Sequence, residues 1–175
     1  MDVAASFKRL RPRDTHLSIG ISNTPRELIY NKFEDAVYNS FSPEWAQRFE
    51  VQERVPIACL PLTKVLDEHC PGRRVDLLSV DCEGHDMEVL QSLDWERYRP
   101  TVVISEDFEQ FTNGATPSAS SSAMRTFLLA QDYALASQAI FSFFYVDRRA
   151  FDRREGYDGF RLDYSQLGRL AAPRG

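Results

Sequence analysis

The hydrophobic pattern changes period several times along the chain, and each change marks an element. Residues 3–10 place Val3, Phe7 and Leu10 on one side of a helix, which the Arg11-Pro12 step ends because proline disfavours helix in the residue before it. Residues 15–22 (THLSIGIS) alternate apolar and polar with β-branched side chains and predict a strand. Asn23-Thr24-Pro25 signals a turn into a second strand over 27–33, so a hairpin is expected. Residues 34–50 read as a loop whose Tyr38, Phe41, Trp45 and Phe49 are spaced partly as a helix would space them. A strand over 51–60 follows. Thr63 is then expected to cap a helix through His69, with Leu62, Val65, Leu66 and His69 on one face and Cys70-Pro71-Gly72 as its stop.

The run Val75-Asp76-Leu77-Leu78-Ser79-Val80-Asp81 is nearly continuous in apolar residues and ends in a carboxylate, the pattern of a strand buried on both faces of a parallel sheet. Gly84 supplies a turn, and helical periodicity resumes over 86–93 with Met87, Leu90 and Leu93. Tyr98-Arg99-Pro100 breaks it before a second buried strand over 101–105, which ends at Glu106. Residues 108–122 form a Gly, Ser, Thr and Pro stretch suited to a lid or linker, leading into a helix over about 120–131. Residues 133–140 and 142–146 predict two antiparallel strands meeting around Phe141, and the Arg, Asp and Gly-rich tail beyond Arg148 reads as a loose surface extension.

Strands alternating with helices and closing on a strand pair predict an α/β fold with an open, mostly parallel sheet. Ligands of such sheets collect beyond the carboxyl ends of the strands, where this sequence places Asp81 and Glu106-Asp107, with Glu83 close by.

Composition narrows the partners. A length of 175 residues with 43% hydrophobic and 27% charged residues suits one globular domain, and a formal charge of −5 without a basic block favours neither nucleic acid nor an anionic membrane surface. Cys59, Cys70 and Cys82 have neither metal-knuckle spacing nor an even count, which fits reduced thiols. No window resembles a spanning helix or a signal peptide, so a cytoplasmic location is expected.

The ordered set Asp81-Cys82-Glu83-Gly84, a helix with Met87, Val89 and Leu90, then Arg99-Pro100 and a strand ending in Glu106, resembles the core of FkbM-type methyltransferases. Arg11-Pro12-Arg13-Asp14 leading to Ile19-Gly20-Ile21-Ser22 resembles the family's third-strand region, and Leu62-Thr63 with Leu66 its pre-core helix. The resemblance implies a Rossmann-like fold over residues 1–150, with 151–175 as a tail. It also implies methyl transfer from S-adenosylmethionine to a hydroxyl of a small-molecule or saccharide acceptor. It places Ile21, Ser22 and Asp81 toward the cofactor and Glu106 and Asp107 toward the acceptor. The family's first strands and glycine-rich cofactor loop have no counterpart, since the glycines form no G-x-G. The chain is therefore expected to be either part of an active methyltransferase or a remnant that binds or oligomerises through an exposed sheet edge.

Methyl transfer is an in-line displacement, so the protein must align the acceptor hydroxyl and take its proton. Asp81 can act as general base or orienting acceptor, or it can cap the following helix. Glu83 can touch the acceptor or a cofactor hydroxyl, or simply favour the helix dipole. His85 has the most suitable ordinary pKa for a proton acceptor, but a histidine beside a glycine turn is also a common solvated helix start. Glu106 can line the acceptor pocket or pair with an arginine. Magnesium held by Asp81, Glu106 and Asp107 is the weaker alternative, so no metal is assigned. Cys82 reads as a small hydrophobe, and Phe141, Phe143, Phe144 and Tyr145 as sheet core.

Overall fold

The computed structural model describes residues 3–107, 122–139 and 141–152. The chain divides into two units, Met1–Pro100 and Thr101–Gly175. The polar stretch at 108–121 and the tail from 153 lie outside the described residues.

In the first unit, helix α1 (Val3–Leu10) is followed by β1 (Gly20–Ile21), β2 (Arg26–Lys32) and β3 (Glu53–Leu60), with β3 between the other two. Gly20 and Ile21 pair parallel with Cys59 and Leu60, while β2 runs antiparallel along β3 from Arg26 opposite Cys59 to Lys32 opposite Glu53. The expected hairpin of 15–22 with 27–33 does not form. Alternation gives a segment β propensity, but a strand exists only where a ladder partner meets it. Of residues 15–22, only Gly20 and Ile21 sit in a strand, opposite the last two residues of β3.

The segment read as a loop is ordered. Asp35 accepts a hydrogen bond from the Val37 N–H at a single 3-10 turn, Ala36–Tyr38. Helix α2 (Pro43–Arg48) has Ser42 as N-cap, accepting from Trp45 N, and proline at its start, where a missing N–H costs nothing. Helix α3 (Leu62–His69) begins after Pro61, two residues earlier than a Thr63 cap would allow. Thr63 instead ties α3 to the chain after the next helix: its hydroxyl donates to Ser92 O (2.9 Å) and accepts from Asp94 N (2.6 Å).

Strand β4 (Leu77–Val80) precedes helix α4 (Asp86–Gln91). The expectation of burial on both faces fails: Leu77 is 54% exposed and only Val80 is buried. Within this unit α4 packs on β4. Val89, Leu90, Leu93, Trp95 and Tyr98 make the local core, where the Trp95 indole donates to Leu90 O at 3.0 Å.

The second unit contains β5 (Val102–Glu106), α5 (Ala123–Ala130), β6 (Tyr133–Ala139), β7 (Ser142–Asp147) and α6 (Arg148–Asp152). The predicted antiparallel pair is present, with β7 between β5 and β6 and antiparallel to both. Val103 opposite Tyr145 and Ser105 opposite Phe143 share one fully buried face. Burial, and then the Asp107 carboxylate, push the Tyr145 hydroxyl up to about 12. Phe143 and Tyr145 are core as expected, whereas Phe141 is 37% exposed beside the turn. The tail expected to be loose beyond Arg148 begins as α6.

The fold is α/β, but the mostly parallel Rossmann-like sheet is not what the strands form. Within the two units one described pairing is parallel, β1 with β3, and three are antiparallel. Among the described residues no helix is long and apolar enough to cross a membrane.

Gly20 fixes how closely β1 can approach β3. A Cβ there would overlap Cys59 Sγ and lie 2.9 Å from Phe41 Cζ. Gly20→Ala is expected to cost about 1–3 kcal/mol by overpacking, read as a lower urea midpoint at unchanged slope. Adding Cys59→Ala should recover part of that loss, and strict additivity of the two changes would show that they do not meet.

Candidate functional site

The D-C-E-G segment forms the bend between β4 and α4. Glu83 (φ 47°) and Gly84 (φ 86°) are both left-handed, and two such residues in succession turn the chain from a strand end directly into a helix. For glutamate that conformation costs about 1–2 kcal/mol, so surrounding contacts must hold it. The Asp86 carboxylate accepts from Cys82 N (3.1 Å) and Gly84 N (3.2 Å), closing the bend from below. The Ser40 hydroxyl donates to Glu83 O at 2.6 Å. Trp45 lies against Gly84 so closely that a Cβ there would come within 2.8 Å of its indole nitrogen.

The carboxylate that braces this bend is Asp86, buried to 4% exposure, while Asp81 is exposed. The α4 N-cap position is His85, whose side chain makes no cap hydrogen bond. Burial raises the Asp86 carboxyl above its ordinary value; its backbone N–H partners pull the other way, and the Asp81 charge adds to the rise. Burial, and then the Asp86 charge, push the Cys82 thiol up to about 12, so it remains protonated and inert, in keeping with the hydrophobe reading.

His85 is not a solvated helix start. Its side chain is 10% exposed, its ring sits 5.4 Å from that of Phe41, and Nε2 lies 3.0 Å from Ile21 O and 3.6 Å from Glu88 Oε2. Both neighbours are acceptors, so Nε2 carries the hydrogen, and in the neutral ring Nδ1 holds the lone pair. Glu88 also accepts from Asn23 N (3.3 Å) and pairs with the Arg26 guanidinium. The carboxyl end of β1 is thus pinned to the first turns of α4.

Ile21 therefore meets His85 through its carbonyl. Ser22 is fully buried, its N–H donating to Leu60 O and its hydroxyl to Thr24 O. Asp81, Glu83 and His85 share one five-residue bend. Glu106 and Asp107 end β5 in the second unit, where Glu106 is opposite Ser142 and Asp107 is 3% exposed with its N–H donating to Phe141 O. Asp86, Glu88, Ser40 and Trp45 escaped the sequence reading. For Asp86 a local signal existed, a short acid two residues after the glycine, and Glu88 has a near partner in His85, but the pairing of Arg26 with Glu88 (62 apart) and of Ser40 with Glu83 (43 apart) reaches far along the chain.

The family model described as "Methyltransferase FkbM domain" matches residues 3–135. No curated protein and no solved structure matches the chain.

The two left-handed residues should respond oppositely to substitution. Gly84→Ala is expected to lose about 1–3 kcal/mol, from its positive φ and from contact with Trp45, whereas Glu83→Gly should be neutral or stabilising by up to about 1 kcal/mol in urea unfolding. Asp86 adds a pH signature. Because its folded pKa is raised, protonation favours the folded state, so its contribution to stability is present below the ordinary aspartate value of about 3.9 and declines as pH rises through the folded pKa above it. Asp86→Asn lacks that decline, and unfolding curves at several pH values should show the variant gaining on the parent protein as pH rises.

Proposed function

The chain belongs to the FkbM methyltransferase family, and we propose that it moves the methyl group of S-adenosylmethionine to a hydroxyl oxygen of a saccharide or natural-product acceptor. The supporting observation is the bend after β4, which leaves Asp81 exposed while the Asp86 carboxylate accepts from Cys82 N and Gly84 N.

The residues present suit the cofactor chemically. S-adenosylmethionine carries a sulfonium and an ammonium, and the bend supplies the carboxylates of Asp81 and Glu83. Asp81 would accept from the cofactor or from the acceptor hydroxyl, and the half-buried Ile21 side chain would give the cofactor an apolar wall. Ser22 would serve by holding the end of β1, since its hydroxyl is committed to Thr24. When bound, the cofactor supplies an electrophilic methyl group.

The chain's own residues then align the acceptor oxygen and receive its proton. Asp81 is the exposed base at the strand end. His85 can take a proton only at Nδ1, because Nε2 is held as a donor against Ile21 O and Glu88. Glu83 is proposed to contact a hydroxyl of either substrate and Glu106 to contact the acceptor, whereas Asp107 is too buried for that role.

Calorimetric titration of S-adenosylmethionine into the 175-residue chain is expected to show saturable binding that Asp81→Asn weakens, and the absence of any binding would end this reading for the chain. With a turned-over acceptor, Asp81→Asn should lower kcat by about 10²-fold or more, the usual contribution of a general base. Unchanged turnover would remove Asp81 from the chemistry.

A further inference from the structure

The sheet of the first unit guards its two sides unequally. Strand β3 runs on past the two-residue β1, and the stretch that β1 leaves uncovered contains Pro56, which has no N–H to offer a further strand. Strand β2 forms the other side and contains no proline.

Two contacts establish which backbone groups of β2 face outward. Asn31 donates to Ser40 O at 2.9 Å and accepts from Ser40 N at 3.1 Å, so its N–H and C=O point away from β3. Backbone groups alternate along a strand, and those of Ile29 and Glu27 therefore point the same way. The position of Pro56 opposite Ile29 agrees, since a residue without an N–H cannot complete a hydrogen-bonded pair with it. Ser40 closes the edge at Asn31. At Glu27 and Ile29 the outward groups have no hydrogen-bond partner among the described residues, and Ile29 is 46% exposed.

Aligned outward groups beside an uncovered isoleucine are a template for one more antiparallel strand. That strand must not bring an acid opposite Glu27. A second copy of β2 meets the condition in one register. With Glu27 opposite the partner's Ile29, and Ile29 opposite the partner's Glu27, both pairs exchange their two backbone bonds around a two-fold axis at Leu28. Leu28 then meets the partner's Leu28, and Arg26 meets the partner's Tyr30. Sliding by two residues one way sets Glu27 against the partner's Glu27 and Ile29 against the partner's Pro25. Sliding the other way sets Glu27 against the partner's Asn31, whose outward groups Ser40 already holds.

We infer that the chain self-associates as a two-fold dimer through the outer edge of β2, Glu27 of each copy pairing with Ile29 of the other. The dimer goes beyond the methyl-transfer reading and does not rest on it. Its ladder is short, which puts it among weak, reversible contacts rather than permanent ones.

Sedimentation velocity of the full chain from micromolar to millimolar concentration is expected to show one chain passing reversibly toward two. Ile29→Pro removes an N–H that faces away from β3, so the variant should keep the parent far-UV circular dichroism and remain monomeric throughout. Ile29→Glu sets like charges opposite each other twice and should weaken the dimer by about fivefold or more. Adding Glu27→Lys makes both pairs opposite in charge and should restore at least the parent association. Should Ile29→Pro not fold, the charge variants, which alter only exposed side chains, decide alone. The mass of one chain at every concentration would overturn the dimer, and it is also the result if the edge serves a different protein. Association unmoved by Ile29→Glu, or lost with Ile29→Glu and not recovered by Glu27→Lys, would overturn the pairing of Glu27 with Ile29.

Discussion

The candidate site depends on one constraint: a glutamate and a glycine held consecutively in the left-handed region between β4 and α4. Such a pair gives the sharpest available route from a strand end into a helix, but glutamate resists it, so the bend persists only because its surroundings over-determine it. Three attachments do so, and each comes from a different place in the sequence. Asp86 reaches back from the helix, Ser40 reaches across from the segment after β2, and Trp45 fills the space that a side chain at position 84 would need. Losing any one leaves a strained backbone with fewer restraints, so the conformation of the bend and the packing of the 34–50 segment cannot be treated separately.

That dependence gives the ordering of 34–50 a purpose beyond local stability. Its caps, Asp35 on the 3-10 turn and Ser42 on α2, fix a short segment that would otherwise be too small to hold itself. Once fixed, it presents a hydroxyl and an indole to the bend. Strand β3 matters for the same reason. By inserting between β1 and β2 it separates two segments that are neighbours in sequence, and leaves the end of β1 to meet His85 and Glu88 instead of a hairpin partner.

The legible parts of the sequence were those whose cause is local. The antiparallel pair β6–β7, the helix after Gly84 and the helix ahead of β6 follow from periodicity and turn residues read within about a dozen positions. The D-x-E-G pattern was legible as a family feature because it is contiguous. What was not legible depends on partners far along the chain. Nothing in THLSIGIS says that only Gly20 and Ile21 find a ladder, and the Thr63 hydroxyl looks like a cap until Ser92 and Asp94 claim it. The apolar run before Asp81 predicted burial on two faces, yet an apolar run measures only how favourable cover would be, not how many faces receive it.

The division of labour between the two aspartates of the bend shows why position alone is a poor guide to role. Asp81 and Asp86 lie five residues apart, both fit the carboxyl end of a strand or the start of a helix, and either could in principle cap or catalyse. Geometry separates them. Asp86 is buried and carries two backbone N–H bonds, so its charge is spent inside the protein and its proton affinity rises with burial. Asp81 keeps its oxygens at the surface. Two carboxylates this close also repel, and the negative charge of Asp81 adds to the difficulty of ionising Asp86. A positive charge brought near Asp81 would relieve that repulsion and ease the ionisation of the buried Asp86 carboxyl.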